Sequence, residues 1–302
     1  MTALPDIGPS RRVTRLGSDY HISFHAMATP CEVRVECDDA GLAETIGAAV
    51  ESETRRIEAK FSRYRADSVV SRINASGHLG LAVDAETASL LDCARQCYLV
   101  SKGMFDITSG VLRRAWRFDG SDNLPSAQKI LDLLPLMGWP KLTWKPPELK
   151  LPPGMEIDFG GLAKEYAVDR ALAEAAAIAP LPMLVNFGGD LCVTGPRKGG
   201  APWNVAIDSV EDSGKMAGLI QLKEGALATS GDARRFLLRD GVRYGHILNP
   251  RTGWPIRDAP RSVTVAAYSC VEAGISATLA MLQGRSAEAF LKREGFRAWC
   301  IR

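Results

Sequence analysis

The segment Ile157-Asp158-Phe159-Gly160-Gly161-Leu162-Ala163-Lys164 joins a short apolar run to a strongly helical one through a pair of glycines. It predicts a strand at Met155–Phe159, a bare turn, and a helix over Leu162–Ala179 with a lysine in its first turn. Such a turn can hold an anion, because a helix N-terminus offers unpaired N–H groups and a positive dipole end. It can equally be an ordinary junction with Lys164 in solvent, and the GxxxxGK[ST] spacing of a Walker A loop is absent.

Strands and helices alternate irregularly on both sides of this junction. Residues 22–37 alternate apolar and polar side chains and predict two antiparallel strands, whereas residues 40–60 and Thr87–Ser101 have helical spacing. Because no regular βαβ repeat occurs, we expect an α+β fold, a mixed α/β architecture with largely antiparallel sheets. The remaining predicted elements are a helix over Asp122–Met137, a loop over Gly138–Gly154, strands at Leu184–Phe187, Asp190–Thr194, Trp203–Asp208, Ala217–Lys223, Ala226–Thr229, Phe236–Asp240 and Ser262–Ala267, and a helix over Cys270–Leu282.

The bulk composition is that of an ordinary globular protein. The chain has 302 residues, of which 46% are hydrophobic and 24% charged, enough to bury a large core. Lys plus Arg number 37 and Asp plus Glu 35, so the net charge of +2 gives no basic footprint for a nucleic acid. No apolar run is long enough to span a bilayer. Residues 1–20 are polar and rich in Pro, Ser and Arg, which predicts a flexible tail before a single domain over 21–302.

Two features of the sequence bear on the compartment. Ser10-Arg11-Arg12 resembles the start of a twin-arginine export signal, but no apolar core follows it. The cysteines are odd in number and include no CxxC pair, which argues against a disulfide framework or a zinc site. Cys93 and Cys97 share one face of a predicted helix and are interpreted as core residues. We therefore expect a cytoplasmic protein without a signal peptide.

The stretch His246-Ile247-Leu248-Asn249-Pro250-Arg251-Thr252-Gly253-Trp254-Pro255 combines four polar side chains with two prolines and a glycine. Since proline fixes φ and lacks an N–H, this stretch cannot continue a helix or a central strand. It is predicted to be a loop that holds its polar groups in defined directions, and such loops often bind ligands or catalyse reactions. The alternative is a tight surface turn after a strand.

Four further segments carry groups suited to binding a nucleotide, each with a structural alternative. Arg63-Tyr64-Arg65 could stack an aromatic ring on a planar ligand near its phosphates, or cap a helix. Asp106 lies among apolar residues in Phe105-Asp106-Ile107-Thr108 and needs partners, from the backbone or from a ligand. Thr229-Ser230-Gly231 offers hydroxyls to phosphate oxygens but is also a common turn composition. Asn186-Phe187-Gly188-Gly189-Asp190 is interpreted as a tight hairpin or a bulge.

Taken in order, these segments resemble the ApbE family, the FAD:protein FMN transferases. The resemblance runs from about His25 to Gly284. No single motif decides it, but so many motifs in the same order are a specific signal. The stretches that carry it are Met27-Ala28-Thr29, Ser62-Arg63-Tyr64 with Asp67-Ser68 and Asn74, Phe105-Asp106-Ile107-Thr108, Asp158 through Lys164, Thr229-Ser230-Gly231, and His246 through Gly253.

The resemblance implies a T-fold-like mixed α/β fold that binds FAD and a divalent metal, Mg²⁺. It implies that the FAD pyrophosphate is split, that FMN passes to a Ser or Thr hydroxyl of an acceptor flavoprotein, and that AMP leaves. Magnesium would neutralise phosphate charge, and a base would take the proton of the acceptor hydroxyl. By resemblance, His246 is the catalytic base, the Gly161 carbonyl and the Thr278 hydroxyl hold the metal, and FAD contacts Met27, Tyr64, Met104, Phe105, Asp106, Asp158, Lys164 and Leu248.

The chain departs from the family pattern at three positions. Gly274 stands where the family has the aspartate that binds the metal. Asn249 replaces the aspartate of the His-x-x-Asp-Pro motif, and Glu165 stands where glycine is usual. The first two changes remove negative charge and predict a weaker or absent metal site, since a hard dication prefers carboxylate oxygen. Glu272, two residues before Gly274, is a candidate to compensate.

Three interpretations therefore stay open. The chain is an active FMN transferase with an altered metal site, an FAD-binding carrier or sensor that has lost transfer, or a different phosphoryl-transfer or hydrolase enzyme on the same scaffold. Metal-dependent release of AMP separates the first two, and failure to bind FAD favours the third. If the missing aspartate impairs catalysis, Gly274→Asp is expected to raise metal affinity and FAD turnover. The sequence does not identify the acceptor.

Overall fold

The computed structural model describes residues 11–209, 216–232 and 235–302. The described residues fall into two compact units, each assembled from separate stretches of the chain. Of the described residues, the first unit contains those up to Glu58 and those within Ala163–Ala228 and Ala266–Gly274, and the second contains those within Ala59–Leu162, Thr229–Val265 and Ile275–Arg302.

The regular elements of the described residues are numbered in chain order. The helices are α1 (Ala40–Phe61), α2 (Val69–Ser76), α3 (Ala85–Val100), α4 (Ala127–Leu133), α5 (Ala163–Ile178), α6 (Cys270–Leu282) and α7 (Ala287–Arg293). The strands are β1 (Arg12–Leu16), β2 (Asp19–Ala26), β3 (Thr29–Val35), β4 (Leu81–Ala82), β5 (Thr143–Lys145), β6 (Glu148–Lys150), β7 (Met183–Phe187), β8 (Asp190–Val193), β9 (Trp203–Asp208), β10 (Met216–Leu222), β11 (Gly225–Gly231), β12 (Phe236–Arg239), β13 (Val242–Gly245), β14 (Ser262–Ala267) and β15 (Arg297–Ile301).

The first unit is built on an antiparallel sheet with the strand order β1-β2-β3-β7-β8, followed by the start of β11. Side chains alternate between its faces, and Ile22, Val33 and Val185 are fully buried. The register places Ile22 opposite Val33, and Val33 opposite Val185, so these three side chains line up across neighbouring strands. Helix α5 packs against β7 and β8, which brings its first turn beside Asp190.

Strand β1 lies within the segment 1–20 that the composition predicts to be a tail. It pairs antiparallel with β2, with Val13 opposite Ile22 and Leu16 opposite Asp19. The strand forms an edge of the sheet, and most of its side chains are exposed. Polar residues are tolerated at such an edge, so composition alone does not reveal the strand. The structure corrects the expected tail from Arg12 onward, and residues 1–10 lie outside the described residues.

The core of the second unit surrounds the indole of Trp116. This ring stacks on Phe118 with centroids 5.4 Å apart and meets Trp254 edge-on at 5.3 Å. The indole Nε1 donates to the carbonyl of Gly253 at 2.8 Å. These contacts fix the loop His246–Pro255 to the core. The other buried members of this cluster are Val111, Leu112, Ile130, Leu133, Met137 and Leu237.

The predicted strand Met155–Phe159 does not form. Its N–H groups bind two different segments instead of one partner strand. Ile157 donates to the Oδ1 atom of Asn74 at 2.8 Å, and Asp158 donates to the carbonyl of Ile107 at 2.9 Å. The side chain of Asn74 also donates to the carbonyl of Ile157 at 3.0 Å, so it replaces a strand neighbour. The extended segment is thereby held without belonging to a sheet.

Two other regions differ from the sequence prediction, one in extent and one in type. The helix expected over Asp122–Met137 is limited to α4 and is followed by a 3₁₀ turn at Leu134–Leu136, since Pro135 cannot donate to a continuing helix. The region Gly138–Gly154, expected to be loop, contains β5 and β6, which form a small sheet with β4. Among the described residues, none of the helices is long and apolar enough to cross a bilayer.

Candidate functional site

Arg63 joins two side chains that are expected to contact FAD, Tyr64 and Asp158. Its guanidinium forms an ion pair with the Asp158 carboxylate, donates to the Tyr64 hydroxyl at 2.7 Å and lies 4.9 Å from the centre of the Tyr64 ring. Burial lowers the pKa of Arg63, but the charge of Asp158 and the hydrogen bonds to Tyr64 and Asp158 together raise it, so the net direction is upward. Tyr64 is 71% exposed. The arrangement presents an aromatic ring to solvent beside a paired carboxylate.

Asp158 is fixed by the backbone on both sides of it. Its carboxylate accepts a hydrogen bond from the N–H of Gly160 at 2.9 Å. A Cβ atom at Gly110 would lie only 2.6 Å from the Cβ atom of Asp158, so a glycine is needed for this close approach. A Cβ atom at Gly161 would lie 3.5 Å from the ring of Phe105. The structure therefore brings Phe105, Asp158 and Gly161 together at one turn.

Asp106 uses its side chain to begin the 3₁₀ helix Ile107–Arg114. Its carboxylate accepts hydrogen bonds from the N–H of Thr108 at 2.9 Å, the hydroxyl of Thr108 at 2.7 Å and the N–H of Trp139 at 3.3 Å. Burial raises the pKa of Asp106, and these donors oppose the rise. The partners of this buried acid are thus protein groups, and its contact with FAD stays a prediction, as does that of Met104.

The loop after β13 is a closed turn built around Asn249. The Oδ1 atom of Asn249 accepts from the N–H of Arg251 at 2.9 Å, and its carbonyl accepts from the N–H of Gly253 at 2.7 Å. Residues Leu248 and Pro255 pair across the turn as an isolated bridge. An amide oxygen accepts the same bond as a carboxylate oxygen. Asparagine at this position can therefore keep the shape of the turn while removing the charge.

His246 stands at the start of this loop. Its Nδ1 atom lies 3.3 Å from the carbonyl oxygen of Arg235, and its ring meets the edge of Phe118 at a centroid distance of 6.3 Å. A carbonyl oxygen can only accept a hydrogen bond, so we assign the proton to Nδ1 and the lone pair to Nε2. That tautomer is the one that allows Nε2 to act as a general base.

Hydroxyl groups from two distant stretches of the second unit meet at Thr278. Its Oγ1 atom donates to the Oγ atom of Ser230 at 3.4 Å. The neighbouring Thr229 shares a hydrogen bond with Thr264 at 2.8 Å. A Cβ atom at Gly231 would lie 2.5 Å from the carbonyl oxygen of Arg261, so no side chain fits there. The predicted Thr-Ser-Gly segment and the predicted metal ligand Thr278 therefore lie together.

In the first unit, Lys164 forms an ion pair with Asp190 at 2.5 Å. Asp190 is only 1% exposed and follows the glycines of the β7–β8 hairpin, which confirms the interpretation of residues 186–190 as a tight hairpin. Burial lowers the pKa of Lys164, but the charges of Asp190 and Glu165 and the hydrogen bond to Asp190 together raise it, so the net direction is upward. Lys164 is therefore half-buried and paired with a buried carboxylate, and is not the solvated lysine of a plain junction.

The turn between β2 and β3 contains Met27, which is expected to contact FAD. Met27 and Ala28 have φ angles of 52° and 57°, a region uncommon for residues with a side chain. The N–H of Met27 donates to Oε1 of Glu58 at 2.7 Å. A Cβ atom at Gly188 would lie 2.0 Å from the hydroxyl of Thr29. The surroundings thus hold the turn in a strained conformation, which is often seen at binding sites.

The profile of the ApbE family matches residues 27–300. The chain belongs to the ApbE family. An FAD:protein FMN transferase of Vibrio cholerae is 29% identical over 272 residues, which cover 87% of this chain and 81% of that protein. The enzyme of the same name from Treponema pallidum is 29% identical over 298 residues, 91% of this chain and 82% of that protein.

Two solved structures of the ApbE family share the fold. The ApbE protein of Thermotoga maritima superimposes with a TM-score of 0.85 at 31% identity, covering 93% of this chain and 94% of that one. The apo flavinyl transferase ApbE of Pseudomonas stutzeri gives a TM-score of 0.82 at 28% identity, with 97% and 92% covered. The expected mixed α/β fold of the ApbE family is confirmed.

The structure resolves how this ApbE chain departs from the family pattern at Gly274. Glu272 is exposed, and its Oε2 atom accepts from the N–H of Tyr268 at 3.3 Å, so its role as a compensating ligand stays a prediction. The space beside Gly274 is taken by Glu165, whose Cγ atom would lie 2.5 Å from a Cβ atom at position 274. This contact joins residues that are far apart in the sequence, and local sequence patterns do not reveal it. The sequence signal for this contact is that Glu165 stands where the family usually has glycine, while Gly274 stands where the family has aspartate.

Proposed function

We propose that this chain is an FAD:protein FMN transferase. The hydroxyl oxygen of a Ser or Thr in an acceptor flavoprotein bonds to the phosphorus of the FMN half of FAD. The bond from that phosphorus to the bridging oxygen breaks, and AMP leaves with the bridging oxygen. The observation that carries the proposal is that relatives of this name match four fifths or more of this chain. The alternative is an FAD-binding protein without transfer activity, and the acceptor and the cytoplasmic location stay predictions.

The residues of the site have distinct tasks in this reaction. His246 takes the proton of the acceptor hydroxyl at Nε2, since its Nδ1 atom faces the carbonyl of Arg235. Lys164 offers its ammonium to the pyrophosphate, and Tyr64 offers its exposed ring to the isoalloxazine. Arg63 keeps the ring and the Asp158 carboxylate in place. The FAD contacts we propose are Met27, Tyr64, Met104, Phe105, Asp106, Asp158, Lys164 and Leu248.

A divalent cation fits the donor chemistry of this chain. We assign the carbonyl of Gly161 and the hydroxyl of Thr278 as oxygen ligands of the kind that Mg²⁺ prefers. The Oε2 atom of Glu165 is buried and accepts no hydrogen bond among the described residues, so the chain also holds an acidic oxygen in need of a positive partner. Magnesium, when bound, neutralises charge on the pyrophosphate. No group of three or more His, Cys, Asp or Glu within residues 11–209, 216–232 and 235–302 is arranged to hold a metal by itself.

The transfer reaction can be tested by following AMP and protein-bound flavin together. Purified chain is incubated with FAD, Mg²⁺ and a panel of flavoprotein domains that carry Ser or Thr targets, with EDTA as the control. We expect AMP and an acceptor mass increase equal to FMN, both lost with EDTA. FAD binding without AMP in any reaction would favour the non-transferring alternative, and no FAD binding would favour a different phosphoryl-transfer or hydrolase activity.

Tyr64→Ala is expected to weaken FAD binding by about two- to tenfold, because stacking between aromatic rings contributes about 0.5–1.5 kcal/mol. Tyr64 is 71% exposed, so its removal should leave the fold intact. A matched control is Tyr268→Ala, because Tyr268 is 89% exposed and is not among the proposed contacts. Fluorescence titration with FAD measures both. Equal affinity of the two variants would contradict the stacking role of Tyr64.

A further inference from the structure

Glu165 and Gly274 form a coupled pair in the first unit. A Cβ atom at position 274 would lie 2.5 Å from Cγ, 3.0 Å from Cδ and 3.0 Å from Oε1 of Glu165. Real side chains do not approach so closely, so any side chain at 274 requires Glu165 to move. Glycine is also a poor residue for the interior of a helix such as α6. The glycine is therefore explained by the side chain that fills its place.

One oxygen of the Glu165 carboxylate lacks a hydrogen-bond donor among the described residues. Its Oε2 atom is buried and accepts no hydrogen bond from the described residues. The nearby Lys164 ammonium is paired with Asp190. The N–H groups of Cys270 and Val271, at the start of α6, donate to the Asp169 carboxylate at 2.7 and 2.9 Å. Burial, followed by the charge of Asp190, raises the pKa of Glu165 to about 7. A buried carboxylate oxygen without a partner is costly and calls for a proton or a cation.

We propose that Glu165 is the carboxylate ligand of a divalent cation in this chain, in place of a side chain at position 274. The inference rests on the proposed function, because the cation is the one that accompanies FAD. Three observations carry it: the contact with Gly274, the buried unpartnered oxygen, and the exposed position of Glu272, the other acid close to Gly274 in sequence. A hard dication prefers oxygen ligands with negative charge, which a glutamate supplies as well as an aspartate.

The first test is a titration with Mn²⁺, followed by calorimetry and by electron paramagnetic resonance, without FAD and with FAD. We expect Glu165→Gln to weaken Mn²⁺ binding at least tenfold relative to wild type. The control Glu272→Gln is expected to bind Mn²⁺ with wild-type affinity. FAD affinity without metal should stay within twofold in both variants. Wild-type Mn²⁺ affinity in Glu165→Gln, or no Mn²⁺ binding by the wild type, would overturn the proposal.

An exchange of the two residues tests the same idea if Glu165→Gln does not fold. Gly274→Asp alone is expected to lower the melting temperature and not to improve Mn²⁺ binding, because its side chain meets Glu165. The double variant Glu165→Gly with Gly274→Asp removes the contact and returns one carboxylate. We expect it to bind Mn²⁺ within threefold of wild type and at least tenfold more tightly than Glu165→Gly alone. If the double variant binds no more tightly than Glu165→Gly, the coupling of these positions through a cation is wrong.

The two proposals fail in different ways. If the wild type binds Mn²⁺ through Glu165 but releases no AMP from FAD, the transferase function fails and the ligand assignment stands. If AMP is released with Mg²⁺ and Glu165→Gln keeps full Mn²⁺ affinity, the function stands and the assignment of Glu165 is overturned.

Discussion

His246→Ala is expected to slow FMN transfer by about 10²–10⁴-fold, the usual contribution of a general base. The hydrogen bond from Nδ1 to the carbonyl of Arg235 places the lone pair on Nε2, where it can take the proton of the acceptor hydroxyl. The effect should fall on kcat, since His246 is not among the groups proposed to bind FAD. AMP release measured by chromatography under saturating FAD gives the rate.

Two further variants separate a chemical role of His246 from a structural one. His246→Asn keeps a donor for the carbonyl of Arg235 but has no basic nitrogen, so we expect it to be as slow as the alanine variant. His78→Ala changes an exposed histidine and should leave the rate unchanged. A rate for His246→Asn close to that of wild type would show that the histidine shapes the loop and is not the base.

Asp190→Ala is expected to lower the free energy of unfolding by about 3 kcal/mol, because removing one partner of a buried ion pair leaves an uncompensated charge. Asp190 is 1% exposed and holds Lys164 at 2.5 Å. The loss of unfolding free energy should lie at the lower end of the range for buried ion pairs, because the charge of Glu165 also stabilises the Lys164 ammonium. Urea denaturation measures the change.

Asp67→Ala is the matched control for this prediction. Asp67 also forms an ion pair, with Arg65 at 2.7 Å, but its side chain is 70% exposed. Exposed pairs contribute about 0–1 kcal/mol, so the midpoint of unfolding should hardly move. Equal effects of Asp190→Ala and Asp67→Ala would contradict the structural role of the buried pair.

The secondary structure could be predicted from the sequence where the hydrophobic pattern has a clear period. The alternation over residues 22–37 gave two strands, and α5 and α6 begin and end within two residues of their predicted bounds. Strand β1 escaped detection because an edge strand can carry polar side chains on both faces. Met155–Phe159 has the composition of a strand, but the side chain of Asn74 takes the place of a strand neighbour.

The candidate site was predictable where motifs are contiguous and not where side chains meet across the chain. Arg63 was noted only as a flank of Tyr64, although it also pairs with Asp158. The expectation that Gly274→Asp alone would restore a metal ligand did not include Glu165, because nothing in the local sequence places that side chain at α6. Packing between distant segments decides which substitutions are coupled, and a local pattern does not contain that information.

A calorimetric titration of the wild-type protein with FAD, with and without Mg²⁺, tests the central claim most directly. We predict that FAD binds in both conditions and binds more tightly with Mg²⁺, since a bound cation would neutralise charge on the pyrophosphate. No binding in either condition would contradict the flavin function. Binding that is indifferent to Mg²⁺ would contradict a metal-dependent transferase and favour a protein that holds FAD without cleaving it.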